Sequence, residues 1–438
     1  MTRMRDRIVA CALALGALAP LPGTPRATFA AEAQDPTRLV LDGRAAYSRG
    51  EFAAAFESFR RASELRPRNP VLLQQLAACA SRAGRDADAL QALRRLLRLR
   101  VTVPMEADSD FATLRATPAG RAMADSMRAL DARRVDGGSV PAFRLSEPDF
   151  IPEGVARGRR GEFYVGSVHR RKIVRVDRAG KVTEFASEGQ DSLGEVLGMV
   201  ADTTEGKLWV CSSEGPEMLG FEPGRAGRAA LHAFMLRTGR YAGRVLPPDP
   251  DSAHNFNDIA QAPDGSLMVS DPLQRCVYRL GPGGQKLHLL VPPGPIVSPQ
   301  GLAVSRDGRR LYVSDYARGL VVVDLPTREV RPVACPNDVT LYGIDGLSRH
   351  GDDLIAVQNG VRPARVLRLK LAADRDSVTS ATILEMNHPE FREPTLGVVV
   401  ENDFYYVANS QWPLFDPEGQ LPPADRLKPP VVLRLPLK

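Results

Sequence analysis

Four polar residues recur at one place in a repeating pattern: Glu153, Asn257, Gln300 and Asp345. Each opens a short apolar run, in PEGVA at 152, FNDIAQ at 256, PQGLAV at 299 and IDGLSR at 344. Two further openings of the same shape, LGMVAD at 197 and LGVVVE at 396, have Leu at the equivalent place. Gathered around one axis, a Glu, an Asn, a Gln and an Asp present oxygen donors of the kind that suits a hard divalent cation. Ca²⁺ is the first expectation, with Mg²⁺, Mn²⁺ or Zn²⁺ as alternatives; the lack of His and Cys in the set argues against zinc. The competing reading is structural, because Asp and Asn at strand starts also satisfy backbone groups.

The elements that would position these residues are short strands. From about residue 150 the chain alternates β-type runs with turn signals. Each opening is followed by a turn such as Asp264-Gly265 or Asp307-Gly308, then by a second run such as SLMVSD or RLYVSD. The openings recur at the interval of a four-stranded propeller blade, so six openings predict six blades. In such a blade the first strand begins where the second ends, so openings and second-strand ends share one mouth. The second-strand ends add Ser212, Asp271, Asp315, Asn359 and Asn409. His254 and His169 fall near the same mouth and are either proton shuttles or surface residues. The last blade lacks a fourth strand after PPVVLRLPL, and the isolated VPAFRL at 140–145 is expected to supply it and close the ring.

Ahead of the strands stands a helical repeat. Gly43, Gly50, Ala55, Phe59 and Ala62 are matched thirty-four residues on by Ala77, Gly84, Ala89, Leu93 and Leu96. That period, with small residues where helices would cross, resembles the tetratricopeptide repeat and covers about two copies. Residues 101–134 read as a capping helix pair. The array is either a peptide-binding groove or an appendage packed on the strands. At the very start, Arg3, Arg5 and Arg7 precede an apolar run from Ile8 to Leu21 and then small residues, which predicts a signal peptide over 1–33 and export to a periplasm or the medium. The expected domains are therefore 1–33, a helical domain over 35–135 and a six-bladed β-propeller over 138–438.

Composition narrows the partners. The net charge of +6 comes mostly from Arg spread along the chain, which argues against a nucleic-acid groove. No second apolar stretch could span a membrane. Cys79, Cys211, Cys276 and Cys335 show no C-x-x-C spacing, and the first three sit in apolar runs as buried thiols would. No G-x-S-x-G elbow or phosphate loop occurs.

PEG, the FND opening with its PDG turn, the SPQGLAVSRDGRRLYVSD block and IDGL, in that order, resemble the senescence-marker-protein/gluconolactonase/luciferin-regenerating family of six-bladed propellers. The resemblance covers about 150–410. It implies a central metal held by one Glu, two Asn and one Asp, which carry over to Glu153, Asn257 and Asp345, with Gln300 where the family has Asn. It also implies a substrate-orienting Arg at the place of Asn255. The activity it implies is metal-assisted hydrolysis of a lactone or related ester, with Asp345 or a metal-bound water as base or nucleophile; the mouth positions Asn255, His254, Asp271, Asn359 and Asn409 are then expected around a small organic substrate. The alternative is a non-catalytic binding ring whose helices recruit a protein partner. Insertions at 213–228 and 411–430, the second with Trp412 and Phe415, are expected either to cap the mouth or to face the helical domain.

Overall fold

The computed structural model describes residues 36–437, so the signal segment expected over 1–33 lies outside the described residues. Helices come first: α1 (Pro36–Ser48), α2 (Phe52–Leu65), α3 (Pro70–Arg82), α4 (Asp86–Arg98), the short α5 (Ala112–Ala116) and α6 (Pro118–Asp131). Asn69 caps α3 by accepting from the backbone N–H groups of Val71 and Leu72, with Pro70 in the first turn. Asp86 and Asp88 open α4 and Arg95 and Arg98 close it, matching the helix dipole at both ends. The repeat residues have packing reasons. Gly43 lies under the Phe59 ring, and Ala55, Ala77 and Ala89 are fully buried where the helices cross. Gly50 and Gly84 take φ of +77° and +72° in the equivalent α1–α2 and α3–α4 turns.

The remainder is six sheets of four antiparallel strands. Five blades run in simple chain order, beginning at Pro152, Glu195, Ile259, Pro299 and Leu347. The sixth begins at Gly397 and takes its outer strand from Val140–Arg144, which pairs antiparallel with Val431–Pro436. The closure expected from VPAFRL is thus present, and both ends of the ring are tied into one sheet.

The repeated Gly in the openings follows from how tightly the innermost strands approach. A Cβ on Gly154 would strike the Leu197 carbonyl, and one on Gly301 would strike the carbonyl of Asp345. Gly301 also donates its N–H to that carbonyl at 2.9 Å. The repeated Ser-Asp at second-strand ends has two jobs. Ser270 Oγ donates to the Gln300 carbonyl at 2.8 Å, and Ser314 Oγ to the Asp345 carbonyl at 3.1 Å. Thr395 Oγ1 does the same for Glu153 at 3.2 Å. Hydroxyls from one blade therefore hold the backbone of the polar opening in the next. The Asp carboxylates tie loops: Asp271 accepts from the N–H groups of Asn255 and Gln274, and Asp315 from those of Val297, Ala317 and Arg318.

The helical array docks on the ring beside blade five. Asp131 pairs bidentately with Arg362 at 2.6 and 2.5 Å. Arg365, 3% exposed, donates to the Arg100 carbonyl at 2.8 Å and to Gln358 Oε1 at 2.6 Å. Across the same joint Arg68 donates from its guanidinium to the Cys335 carbonyl and Thr340 Oγ1 donates to the Arg68 carbonyl, each at 2.9 Å, and Val361 enters the helical core. These ring residues lie in connections at the mouth end of the blades, so the helices flank the mouth. The segment after α4 packs back onto α1 and α3. Asp110 accepts from Tyr47 Oη at 2.6 Å, Ser81 Oγ donates to its carbonyl at 2.7 Å, and Phe111 is fully buried. Among the described residues no helix is long and apolar enough to cross a membrane. All four cysteines there are free thiols, with Cys79, Cys211 and Cys276 buried.

Candidate metal centre

Glu153, Asn257, Gln300 and Asp345 each stand at or just before the start of an innermost strand. Asn257 Nδ2 donates to Gln300 Oε1 at 2.8 Å, and Gln300 Nε2 donates to Ser298 Oγ at 3.1 Å. The extra methylene of Gln300 thus lets its amide reach across to Asn257. Asp345 Oδ2 accepts from Asn359 Nδ2 at 2.6 Å, and Asn359 in turn accepts from Tyr316 Oη at 3.2 Å. Glu153 Oε2 accepts from the indole N–H of Trp412 at 2.6 Å.

The electrostatics mark this as a place short of positive charge. Burial pushes the Glu153 carboxyl well above its usual range, and the nearby Asp345 charge pushes it further, against the Trp412 hydrogen bond. Burial raises Asp345 to about 6 despite the Asn359 bond. A third acid, Asp258, is pushed up by burial to about 7 although it accepts from the backbone of Leu302 and Ile259. Glu393 adds its negative charge to the field at Glu153. Among the described residues no Lys, Arg or His forms an ion pair with Glu153, Asp258 or Asp345. Asp258 was readable as the third letter of FND; its burial against Gly198 of the neighbouring blade was not.

The other mouth residues divide. Asn359 belongs to the centre through Asp345. Both ring nitrogens of His254 are engaged: Nδ1 meets Asp271 Oδ2 and Nε2 meets the Asp249 carbonyl, each at 2.7 Å. Burial lowers the affinity of that ring for a proton, but the Asp271 and Asp249 bonds outweigh it and raise the pKa. Asp271 is consumed by His254 and its own loop. Asn409 is likewise committed, donating to the Pro429 carbonyl and accepting from the Val431 N–H. Asn255 gives its backbone N–H to Asp271, and its Oδ1 is buried without a partner. His169 Nδ1 meets the Glu217 carbonyl at 2.7 Å. Ser212 Oγ accepts from the Gly194 N–H.

Both insertions lie over one side of the mouth. Trp412 and Phe415 pack on the Ile151, Val168 and Phe256 cluster, and the Phe415 ring stands 6.0 Å from His169. Gly419 presses on the Pro216 carbonyl, joining the two insertions. The helical domain occupies the blade-five side instead.

A model of the SMP-30/Gluconolactonase/LRE-like region matches residues 151–347, and a tetratricopeptide-repeat model matches 46–116. No curated protein matches the chain. Among solved structures, regucalcin from Agrobacterium tumefaciens, described as a calcium-binding protein, is 15% identical with a TM-score of 0.46, over 67% of this chain and 93% of that one. The PQQ-bound aldose sugar dehydrogenase of Streptomyces coelicolor is 16% identical at 0.48, over 70% and 99%. A virginiamycin B lyase from Staphylococcus aureus with quinupristin is 13% identical at 0.46, over 68% and 88%. Residues 151–347 are thus similar to the SMP-30/gluconolactonase/LRE-like region and lie within a six-bladed propeller, which follows a helical array similar to tetratricopeptide repeats.

Proposed function

We propose that the ring is a divalent-cation-dependent hydrolase of lactones or related esters, exported by its N-terminal segment. One observation carries the reading: the buried carboxyl groups of Glu153, Asp258 and Asp345 feel one another's charge and have no basic partner among the described residues; no three His, Cys, Asp or Glu side chains there form a metal cluster by themselves, so amide oxygens would have to complete the set. Such a cluster is costly unless a cation joins it. Glu153, Asn257 and Asp345 would hold the ion through oxygen, with Ca²⁺ first by donor type. Gln300 is the weakest member, since its carbonyl already serves Asn257.

When bound, a divalent cation polarises the scissile carbonyl and stabilises developing negative charge. Asp345, oriented by Asn359, accepts a proton from the attacking water, and its pKa near 6 leaves it ionised at neutral pH. The insertions around Trp412 keep bulk water from one side of the mouth. The test is a lactone and aryl-ester hydrolysis screen on chelator-treated protein with each metal restored. Metal-dependent turnover lost in Asp345→Asn supports the reading; turnover indifferent to metal and to that substitution overturns it. The Gln300–Asn257 bond favours a second reading, a ring that binds its ligand without hydrolysing it, with the helices engaging a protein partner.

A further inference from the structure

The 411–430 insertion is built so that its tryptophan cannot wander. Gln411 uses both ends of its amide on Lys428, accepting from the backbone N–H at 2.8 Å and donating to the carbonyl at 3.1 Å. Asn409 makes the equivalent pair of bonds to Pro429 and Val431 at 3.0 and 2.7 Å. The two ends of the loop are thereby clamped together. Within it the Trp412 and Phe415 rings pack 5.7 Å apart, and Gly419 seats against Pro216. None of these contacts involves Glu153. The indole N–H is therefore held in place by the loop, and it points at Glu153 Oε2 at 2.6 Å. That is the sole hydrogen bond to the Glu153 carboxylate among the described residues.

We propose that Trp412 is the positioning residue of the metal centre: its fixed indole N–H occupies one oxygen of Glu153 and presents the other, Oε1, to the cation. The inference rests on the cation reading above and adds to it a specific donor. A pinned carboxylate loses less freedom when the ion arrives, and a charge-assisted bond favours its ionised form. Phe at this place would keep the ring and remove the donor. The indole would also report binding directly, because its N–H partner changes its charge balance when the ion enters.

The experiment uses the mature chain, chelator-treated, titrated with Ca²⁺, Mg²⁺ and Mn²⁺ by calorimetry, in the wild type, Trp412→Phe and Phe415→Leu. Phe415→Leu loosens the same loop without removing the donor. A parallel titration follows indole emission in Trp209→Phe, which leaves Trp412 as the only tryptophan of the two in the chain. The expected result is a roughly tenfold or greater loss of affinity in Trp412→Phe, the scale of a hydrogen bond to a charged group. Phe415→Leu, which loosens the loop but keeps the donor, should lose clearly less affinity than Trp412→Phe, and the Trp412 emission should shift on saturation. Wild-type binding with equal affinity in Trp412→Phe, equal losses in both loop variants, or a silent Trp412 emission would overturn the positioning role and leave the cation reading standing. No cation binding by the wild type would overturn both. Should Trp412→Phe fail to fold, the emission titration decides alone.

Discussion

The molecule handles buried charge in two opposite ways. At the joint between helices and ring Asp131, Arg362 and Arg365 all have partners. Asp131 is held below its ordinary pKa because the Arg362 guanidinium outweighs the cost of burial, and Arg365 is caged by backbone carbonyls and Gln358. At the axis of the ring, Glu153, Asp258 and Asp345 are also buried, more deeply than Asp131, and all three are pushed upward. The side chains are of the same kinds; what differs is whether the fold itself supplies the counter-charge. A satisfied pair is a fastener, and an unsatisfied cluster is a place kept for a ligand.

The sharpest way to break this contrast is to exchange the sites. Asp345→Ala should lower cation affinity by more than about a hundredfold and leave the metal-free melting temperature unchanged or higher, since it removes an uncompensated buried acid. Asp131→Ala should do the reverse: no change in cation affinity, and a loss of about 1 kcal/mol in a urea melt, small because Arg362 is partly exposed. Loss of stability in metal-free Asp345→Ala would make that residue a fastener too.

Arg365→Met should cost about 2–3 kcal/mol, because it strands the Leu99 and Arg100 carbonyls and Gln358 Oε1. The cation-induced rise in melting temperature should persist, and its disappearance would show that joint and axis are coupled through Gln358 and Asn359.

The pH response should separate the regions as well. Asp258 at about 7 and Asp345 at about 6 are raised above the carboxylate range, so the fold favours their protonated forms. Their contribution is present below about pH 4 and is lost as pH rises through about 6 to 7. Metal-free protein should therefore melt lower at about pH 8 than at about pH 5, and Asp258→Asn should flatten that slope. An equal slope in the variant would contradict the assignment. The smallest expected effect belongs to Gln300→Asn. Shortening the side chain breaks the bond to Asn257 and should raise cation affinity by roughly a few fold, read by calorimetry.

Much of this was legible because period and residue type speak for backbone geometry. PEG, PQG and IDG announce innermost strands, since only Gly tolerates the neighbouring carbonyls. VPAFRL was readable as the closing strand because a lone β-run before the first blade has nowhere else to pair. Side-chain destinations were less legible. His254, Asp271 and Asn409 carry functional-looking chemistry, yet they spend it on their own loops, and only the placed hydrogen bonds show it. Trp412 was visible as an aromatic in a long insertion, but its aim at Glu153 depends on the Gln411–Lys428 clamp across seventeen residues. Gln300 could be recognised as an unusual donor; its reach to Asn257 comes from the spacing between two blades, which no local pattern encodes.

The central claim is that the axis of the ring is a cation site, and calorimetric titration of chelator-treated protein with Ca²⁺, in the wild type and Glu153→Gln, tests it most directly. Saturable binding of about one ion per chain is expected in the wild type, with its loss in Glu153→Gln. No binding of Ca²⁺, Mg²⁺ or Mn²⁺ by wild-type protein, or equal binding by both forms, would contradict it.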